Sequence, residues 1–406
     1  MRVAIIHYAA PPVVGGVETV IARQAELIQR AGHEALVLAG RGAAWNERIP
    51  VYIYPRFDSR HPDVLELKAC LDRGEIPSDF EQVVKATQDD LAEALAGVDV
   101  LIAHNVASLH MNLALTTALQ RFSQQPHAPR LILWHHDLAW ATPRYQAELH
   151  EGWPWDLLRQ AWPGAVQVVV SQARREEYAA LTALPEESIH VVPAGVDLVD
   201  FFRLTPGAVS LYEKLHLAEA SPLLLTPVRL TPRKNLEQGL YILAALRQEM
   251  PQAQLVITGP PGAHNPANDS YLRTLRNLRQ SLDLQNAVHF LAEYHPEGLA
   301  PGEVIDFYHL CDALLLTSRE EGFGIPILEC GLARLPIFCT DLSPLKALAG
   351  PWATYFSPDA SAAEVAAAIS ARLEAESVYQ LRSRVRKEFT WQAIYRSQIA
   401  PLLEEK

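Results

Sequence analysis

The chain alternates short apolar runs with helix-like segments, and it does so in two successive series. Near the N-terminus, the apolar run 3–8 is followed by an amphipathic stretch that stops at Gly32, and a second apolar run occupies 34–40. A strand, a helix and a strand in this order form a βαβ unit with parallel strands. Further apolar runs end in polar residues at 98–105, 130–137, 165–171 and 188–195. The alternation therefore predicts an α/β fold on parallel sheets.

A second series of apolar runs and helical stretches occupies the C-terminal half. The intervening segment 203–221 contains Pro206 and Gly207 and is predicted to connect two domains. The segment 56–97 is polar with helical patterning, which predicts an insertion or a pair of helices. Two alternating series predict two doubly wound parallel sheets, each with helices on both faces.

Composition indicates a soluble globular protein. Of the 406 residues, 49% are hydrophobic and 20% are charged, and no apolar run approaches the roughly 20 residues of a membrane-spanning helix. A net charge of −12 disfavours binding to nucleic acid or anionic lipid. The four cysteines show no CxxC pairing and are predicted to be buried thiols in a reducing compartment, so we expect a cytoplasmic protein.

Polar residues that directly follow apolar runs are the candidate ligand-binding residues, because open parallel sheets bind ligands outside the carboxyl ends of their strands. They are Gly15 and Gly16, His104 and Asn105, His135 to Asp137, Arg229 to Lys234, Gly259, and Glu320 to Gly324.

The segment 312–338 gives the strongest signal. An apolar strand is followed by an acidic, glycine-containing loop with Glu321, and a helix is predicted to begin near Gly324 or Ile325 and to carry Glu329. Free N–H groups at a helix start attract anions, and a carboxylate accepts two hydrogen bonds from sugar hydroxyls. An ordinary acidic first turn of a helix explains the same pattern about as well when it is taken alone.

A basic loop gives the second signal. Arg229 and Lys234 follow the first strand of the second series, whereas Arg233 is interpreted as a solvated residue. Positive charge at a helix start is unfavourable unless an anion lies nearby. Two fixed cations would stabilise a departing diphosphate more than a bound one.

Together these stretches resemble the family-4 retaining glycosyltransferases of the GT-B fold. Glu321 and Glu329 have the family's spacing, with Gly322, Phe323, Gly324, Pro326 and Leu328 matching between them. Arg229 and Lys234 fit its basic pair. Three further segments are similar to family motifs: 13–20 to the first glycine loop, 191–202 to V-P-N-G-V-D-x-x-x-F with Ala194 in place of Asn, and 389–399 to the closing F-S-W helix.

The resemblance implies two facing Rossmann-like domains with a cleft between them. Residues 1–203 would form the acceptor-side domain and 204–387 the donor-binding domain, and a helix at about 388–406 would pack back onto the first domain. Glu321 would contact the transferred sugar, assisted by backbone N–H groups around Gly322, Phe323, Gly324 and Ile325. Glu329 would hold the ribose, and Arg229 and Lys234 the diphosphate. Gly16 and His136 would lie near the reacting centre, with Gly15, His104 and Asn105 as further acceptor or cleft candidates.

The function implied is hexosyl transfer with retention from a nucleotide-diphosphate sugar, UDP-, GDP- or ADP-linked, to an acceptor hydroxyl. No HxH, HExxH or DxD spacing is present, so we expect a metal-independent enzyme without another cofactor. With no obvious protein nucleophile, front-face departure of the diphosphate is favoured. The acceptor, soluble or glycan, is not identified by the sequence, and peripheral membrane association is not favoured.

Alternative interpretations remain open at this point. A nucleotide-dependent oxidoreductase would need GxGxxG after the first strand, and 11–16 lacks it. An epimerase or a phosphorylase of the same fold, or a non-catalytic sugar-nucleotide-binding subunit, would share the donor-side residues. Trp153, Trp155 and Trp162 would either stack on acceptor sugars or, more in keeping with aromatic residues generally, anchor a loop.

Overall fold

The computed structural model describes residues 1–262 and 267–404, and for residues 267–269 the backbone alone. Residues 405 and 406 of the predicted closing helix lie outside the described residues. The chain divides into two compact units: unit 1 comprises Met1–Gly195 and Trp391–Lys406, and unit 2 comprises Val196–Thr390.

Unit 1 contains a sheet of seven strands, and every pairing in it is parallel, in the order β3-β2-β1-β4-β5-β6-β7. The strands are Arg2–Ala9 (β1), Glu34–Arg41 (β2), Val51–Ile53 (β3), Val100–His104 (β4), Arg130–His135 (β5), Val166–Val169 (β6) and Ile189–Val191 (β7). The helices are Gly16–Arg30 (α1), Pro62–Leu71 (α2), Phe80–Ala94 (α3), Leu113–Ser123 (α4) and Gln172–Thr182 (α5).

Both faces of this sheet are buried, as the apolar runs predict. Along β1, Ala4 and Ile6 pack into one core cluster together with residues of α2, α3 and α4. Val3 and Ile5 point to the opposite face and pack with residues of α1. Side chains alternate between faces along a strand, so a strand that is apolar throughout needs helices on both sides.

Unit 2 contains a second parallel sheet, of six strands, in the order β10-β9-β8-β11-β12-β13. The strands are Leu223–Thr226 (β8), Gln254–Ile257 (β9), Val288–Phe290 (β10), Ala313–Leu316 (β11), Ile337–Thr340 (β12) and Thr354–Phe356 (β13). The helices are Leu198–Phe202 (α6), Pro206–Lys214 (α7), Leu236–Glu249 (α8), Ala267–Ser281 (α9), Pro301–Leu310 (α10), Ile325–Ala333 (α11), Ser343–Ala349 (α12), Ala362–Glu374 (α13) and Ser377–Glu388 (α14).

The closing segment of the chain returns to unit 1. It forms the short helices Trp391–Ile394 (α15) and Ala400–Glu404 (α16), separated by a wider turn of helix. Ile394, Ile399 and Leu402 pack into the same core cluster as Val3 and Ile5. The last turns of the chain are therefore part of the first core.

Two details differ from the sequence-based expectations. The segment 203–221 is not a connector, because Thr205 caps α7 and Pro206 occupies its first turn, where a missing N–H costs nothing. The division between the units falls at Gly195 and Val196, upstream of the boundary expected at 203. The short edge strand β3 is too brief to give a sequence signal. Among the described residues, no helix has both the length and the apolarity needed to cross a bilayer.

The strand order fixes where ligands can bind. Each sheet reverses its winding direction at one place: between β1 and β4 in unit 1, and between β8 and β11 in unit 2. A crevice opens at such a switch point, outside the carboxyl ends of the two strands. Most candidate residues follow these four strands, whereas His135 to Asp137 lie at the end of β5 and Gly259 follows β9.

Candidate functional site

The loop after β8 carries the basic residues of unit 2. Arg229 is exposed, whereas Lys234 is buried at the end of a single helical turn that precedes α8. This loop lies against the loop after β9. A Cβ atom on Gly259 would lie 2.1 Å from the carbonyl oxygen of Val228 and 2.7 Å from Cα of Arg229. Only glycine allows the two loops this approach, so Gly259 sets the position of the Arg229 backbone.

The loop after β11 is tied to the loop after β8. The Thr317 hydroxyl lies 3.0 Å from the carbonyl oxygen of Lys234 and 2.9 Å from that of Asn235. Lys234 donates to the carboxylate of Glu321 over 2.5 Å, and the Ser318 hydroxyl donates to the same oxygen over 2.7 Å. Lys234 and Glu321 are nearly enclosed, with side chains 9% and 8% exposed. The carboxylate is therefore held in one orientation.

Arg233 is a contributor that the sequence interpretation set aside. Its guanidinium lies 3.9 Å from the second carboxylate oxygen of Glu321 and donates to the carbonyl oxygen of Glu320. The side chain is half exposed and is free on its outer side to meet an anion. The only sequence signal for Arg233 was its position next to Lys234. A sequence does not show in which direction a side chain of a turn points, so this signal could not assign Arg233 to the site.

The start of α11 lies at the end of the same loop. Gly324 caps this helix with φ of 106°, a conformation that favours glycine, and Ile325 is the first helical residue, as predicted. A Cβ on Gly322 would meet nothing within 4 Å, so open space adjoins the loop. Pro326 has no N–H, and the N–H of Ile327 donates to the carbonyl oxygen of Gly324 over 3.0 Å. The exposed Ile325 and the loop before it supply the backbone N–H groups that remain for a ligand. The segment thus offers an anion-binding helix start.

Glu329 lies one turn into α11 and is exposed. The Tyr308 hydroxyl donates to one of its carboxylate oxygens over 2.5 Å. Burial, and then the adjacent carboxylate, raise the pKa of Tyr308, so this hydroxyl stays a donor. Within the described part of the chain, neither Glu329 nor Arg229 forms an ion pair with Lys234 or Glu321. Of the four predicted charged residues, Lys234 and Glu321 are therefore the two that contact each other directly among the described residues.

In unit 1, a chain of hydrogen bonds ends at His136. Nδ1 of His104 lies 2.9 Å from Nε2 of His136. Nε2 of His104 lies 2.9 Å from Oε1 of Gln24 on α1. Asn105, at the end of β4 with φ of 58°, accepts a hydrogen bond from the backbone N–H of His136 over 2.8 Å. His104, Asn105 and His136 therefore form one assembly at the carboxyl ends of β4 and β5, beside the switch point of this sheet.

The histidines of this assembly are held uncharged. Burial is the main cause, and neighbouring histidines add to it; they lower the pKa of His136 to about 3 and that of His104 well below its usual value. His135 is fully buried beneath the surface and bonds Gln167, and burial lowers its pKa to about 4. Of the two adjacent histidines, His136 is the one that is partly accessible. A ligand could therefore reach the ring of His136 and not that of His135.

The glycine loop after β1 leads into α1. Gly16 is the first helical residue, and a Cβ there would meet nothing within 4 Å. Gly15 precedes it, and the carboxylate of Glu18 lies so close that a Cβ on Gly15 would clash with it. The open side of this helix start is therefore at Gly16.

The tryptophans of the 153–162 segment mostly anchor that segment. Trp155 and Trp162 are buried in the unit 1 core, and their role as hydrophobic anchors is the one the structure shows. Trp153 is 39% exposed and packs edge-on against Phe80.

Among the described residues, one cluster has the composition of a metal site. Ligand atoms of Asp72, His110 and Glu148 lie within 4.8 Å of one another in unit 1. The Lys68 ammonium contacts both carboxylates, at 2.7 and 2.8 Å, and His110 bonds Glu148 over 2.5 Å. The negative charge of this cluster is thus already countered by a side chain.

Comparison with protein families gives two matches that together cover most of the chain. Residues 14–200 match the model described as Glycosyltransferase Family 4, and residues 211–389 match that of Glycosyl transferases group 1. The chain belongs to the family-4 glycosyltransferases. Membership confirms the predicted family and the fold class of two Rossmann-like parallel-sheet domains, and it makes the protein an enzyme that transfers sugar from a nucleotide-sugar donor.

Curated relatives of this glycosyltransferase are named for different acceptors or products. The mannosylglucosylglycerate synthase of Petrotoga mobilis is 21% identical over 85% of each chain. The D-inositol 3-phosphate glycosyltransferase of Kineococcus radiotolerans is 28% identical over 44% of this chain and 40% of its own. A GDP-mannose-dependent phosphatidylinositol monomannoside mannosyltransferase of Mycobacterium tuberculosis is 29% identical over 45% of each. This chain thus spans less than half of the latter two.

Among solved structures, the sucrose-phosphate synthase of Thermosynechococcus elongatus covers 99% of this glycosyltransferase and 98% of its own chain, at 17% identity and a TM-score of 0.40. Anabaena HepE, solved in complex with UDP-glucose, covers 99% of both chains at 20% identity and a TM-score of 0.37.

Proposed function

We propose that this family-4 glycosyltransferase moves a hexosyl group, with retention of anomeric configuration, from a nucleotide-diphosphate sugar to an acceptor hydroxyl. The observation that carries the proposal is the contact of Lys234 with Glu321 at the switch point of unit 2, directly before the start of α11. A fixed cation, a fixed carboxylate and free helix N–H groups lie side by side there. Those groups match a diphosphate and the hydroxyls of a sugar.

In this proposal the donor binds along the loops after β8 and β11. Lys234 and Arg229 hold the diphosphate, with Arg233 as an additional cation near its outer oxygens. Glu321 accepts hydrogen bonds from sugar hydroxyls, and the N–H groups from Gly322 to Ile325 complete the pocket. Glu329 keeps one carboxylate oxygen for the ribose, because Tyr308 takes the other.

The chemical step follows from the charges. As the bond between the anomeric carbon and the diphosphate breaks, negative charge gathers on the departing oxygen, and fixed cations stabilise it more than they stabilise the bound donor. We infer front-face attack, in which the leaving phosphate takes the proton of the acceptor hydroxyl. Gly16 and His136 in unit 1 would lie near this centre, with Gly15, His104 and Asn105 as supporting residues.

We propose that the reaction needs no metal ion, because cationic side chains supply the charge that a metal would supply. Activity should persist in excess chelator. A loss of activity in EDTA that Mg²⁺ or Mn²⁺ restores would contradict this part of the proposal.

The donor is tested first by thermal shift with UDP, GDP and ADP and with their glucose and mannose conjugates, because a bound ligand raises the melting temperature by mass action. Mannosyl and glucosyl donors come first because curated relatives are named for those sugars. Lys234→Met should abolish the shift, whereas Lys346→Met, at an exposed lysine of the same unit, should keep it. No shift with any donor would contradict the proposed site.

Retention is tested on the product. With a responsive donor, release of nucleoside diphosphate reports turnover, and proton NMR of the first product reports its anomeric configuration. A product of inverted configuration, or a trapped covalent glycosyl-enzyme, would overturn the front-face mechanism.

A further inference from the structure

The hydrogen bonds that link Gln24, His104 and His136 do more than satisfy buried polar atoms, because they determine which nitrogen of His136 carries the proton. Gln24 lies on α1, is fully buried, and presents its carbonyl oxygen to Nε2 of His104 at 2.9 Å. The Gln24 amide nitrogen is buried without a hydrogen-bond partner among the described residues. A carbonyl oxygen only accepts, so this orientation of the amide places the His104 proton on Nε2. Nδ1 of His104 then has a lone pair and accepts from Nε2–H of His136.

The position of the two rings is fixed from several sides. The His104 ring lies between Trp134 and His136, with ring centroids 5.5 and 5.2 Å away. The His104 carbonyl oxygen lies 2.9 Å from Nδ1 of His7, and Asn105 holds the backbone N–H of His136. Neither ring can turn over without breaking these contacts.

From this arrangement we propose that Gln24 and His104 are positioning residues, which leave Nδ1 of His136 unprotonated as a hydrogen-bond acceptor for a substrate hydroxyl. The proposal rests on the proposed role of His136 near the reacting centre. The effect runs in one direction: the acceptor on α1 determines which nitrogen of His104 carries the proton, and His104 in turn determines which nitrogen of His136 does. Burial adds to the effect, since it keeps both imidazole rings uncharged and so leaves each ring with one donor and one acceptor.

One substitution at Gln24, with a matched control, separates this role from simple packing. Gln24→Met keeps the length of the side chain and removes its acceptor, so His136 should become a mixture of tautomers. Gln167→Met is the matched control, because Gln167 is also buried and accepts from a histidine, His135, outside the chain of bonds to His136.

The direct measurement is the side-chain ¹⁵N spectrum of the full-length protein, with the His136 signals assigned by their loss in His136→Gln. We expect an unprotonated Nδ1 of His136 in the wild type and in Gln167→Met, and averaged ¹⁵N shifts in Gln24→Met. A proton on Nδ1 in the wild type, or unchanged His136 signals in Gln24→Met, would overturn the proposal.

Turnover of a responsive nucleotide sugar gives the functional half of the test. Gln24→Met should lower kcat about tenfold, the effect of one misdirected hydrogen bond, with the donor KM unchanged, whereas Gln167→Met should keep both values. Equal losses in Gln24→Met and Gln167→Met would reduce the role of Gln24 to packing and so overturn it. If His136→Gln itself keeps full turnover, the proposed role of His136 fails, while the ¹⁵N result still decides whether Gln24 sets its tautomer.

Discussion

Nζ of Lys234 lies 2.5 Å from Oε1 of Glu321, and both side chains are almost fully enclosed. The contact joins the loops that follow β8 and β11, neighbouring strands at the switch point of the second sheet. Neither group can lose its partner without leaving a buried charge unpaired. In the absence of donor, the cation and the carboxylate therefore hold one another in the positions that we propose they use on the substrate.

This pairing predicts strong coupling between the two positions. Lys234→Met or Glu321→Gln alone should cost about 3–5 kcal/mol of unfolding free energy, since each disrupts a buried pair. The double variant should cost clearly less than the two single losses together. Urea unfolding measures all three. The exposed pair Lys346–Asp341, at 3.5 Å, serves as control and should contribute less than about 1 kcal/mol. Additive losses at Lys234 and Glu321 would show that the contact is not formed in solution.

Glu329 should matter for donor binding and little for the chemical step. Glu329→Gln should raise the donor KM about tenfold at nearly constant kcat, because a hydrogen bond to a charged group is worth about 1.5–3 kcal/mol. Tyr308→Phe removes only the group that orients the carboxylate, so a smaller rise in KM is expected. Steady-state kinetics decide between these effects, and a fall in kcat with unchanged KM would remove Glu329 from the ribose-binding role.

A substitution at Gly16 should change substrate binding without changing the stability of the fold. An added Cβ meets no protein atom, so Gly16→Ala should leave the melting temperature nearly unchanged. If substrate approaches this helix start, the same methyl group displaces it, and turnover should fall about 10²-fold. Gly331→Ala is the matched control, since Gly331 also lies in a helix with open space at its Cβ position. Full activity of Gly16→Ala would place the substrate elsewhere.

The buried histidines predict that stability falls in mild acid. The pKa of His135 is lowered from 6.5 to about 4, so between these values the unfolded chain binds a proton that the folded chain does not. Stability is then complete above about pH 6.5 and decreases as the pH falls, by about 1.4 kcal/mol per pH unit for each such histidine. Between pH 7 and pH 5, the free energy of unfolding measured in urea should fall by about 2 kcal/mol less in His135→Gln than in the wild type. The exposed His127 supplies the control, and its substitution by Gln should leave the difference unchanged.

The sequence was sufficient for the architecture because a strand buried on both faces is apolar throughout and ends abruptly in polar residues. The runs 3–8 and 34–40 predict β1 and β2 closely. The segment 203–221 was misinterpreted because proline and glycine mark a helix start as well as a linker, and the deciding contact, Thr205 capping α7, is not visible in composition.

For the candidate site, spacing identified Glu321 and Lys234, but it did not reveal that they bind each other. Nor did it reveal Arg233 at the edge of the same carboxylate or Gln24 behind His104. Such contacts depend on how loops from separate strands cross, and Gln24 lies in an ordinary amphipathic helix where nothing distinguishes it from a surface residue.

The two ends of unit 2 lie next to each other. The backbone N–H of Val196 donates to the carbonyl oxygen of Phe389 over 2.8 Å, and Val196 pairs with Thr390. Residues 196–390 also enclose a hydrophobic core of their own. They therefore form one continuous segment of chain whose two ends are adjacent, so it can be exchanged between relatives by joining the chains at these two neighbouring positions. Hybrid enzymes made in this way would show whether residues 196–390 determine which donor is used.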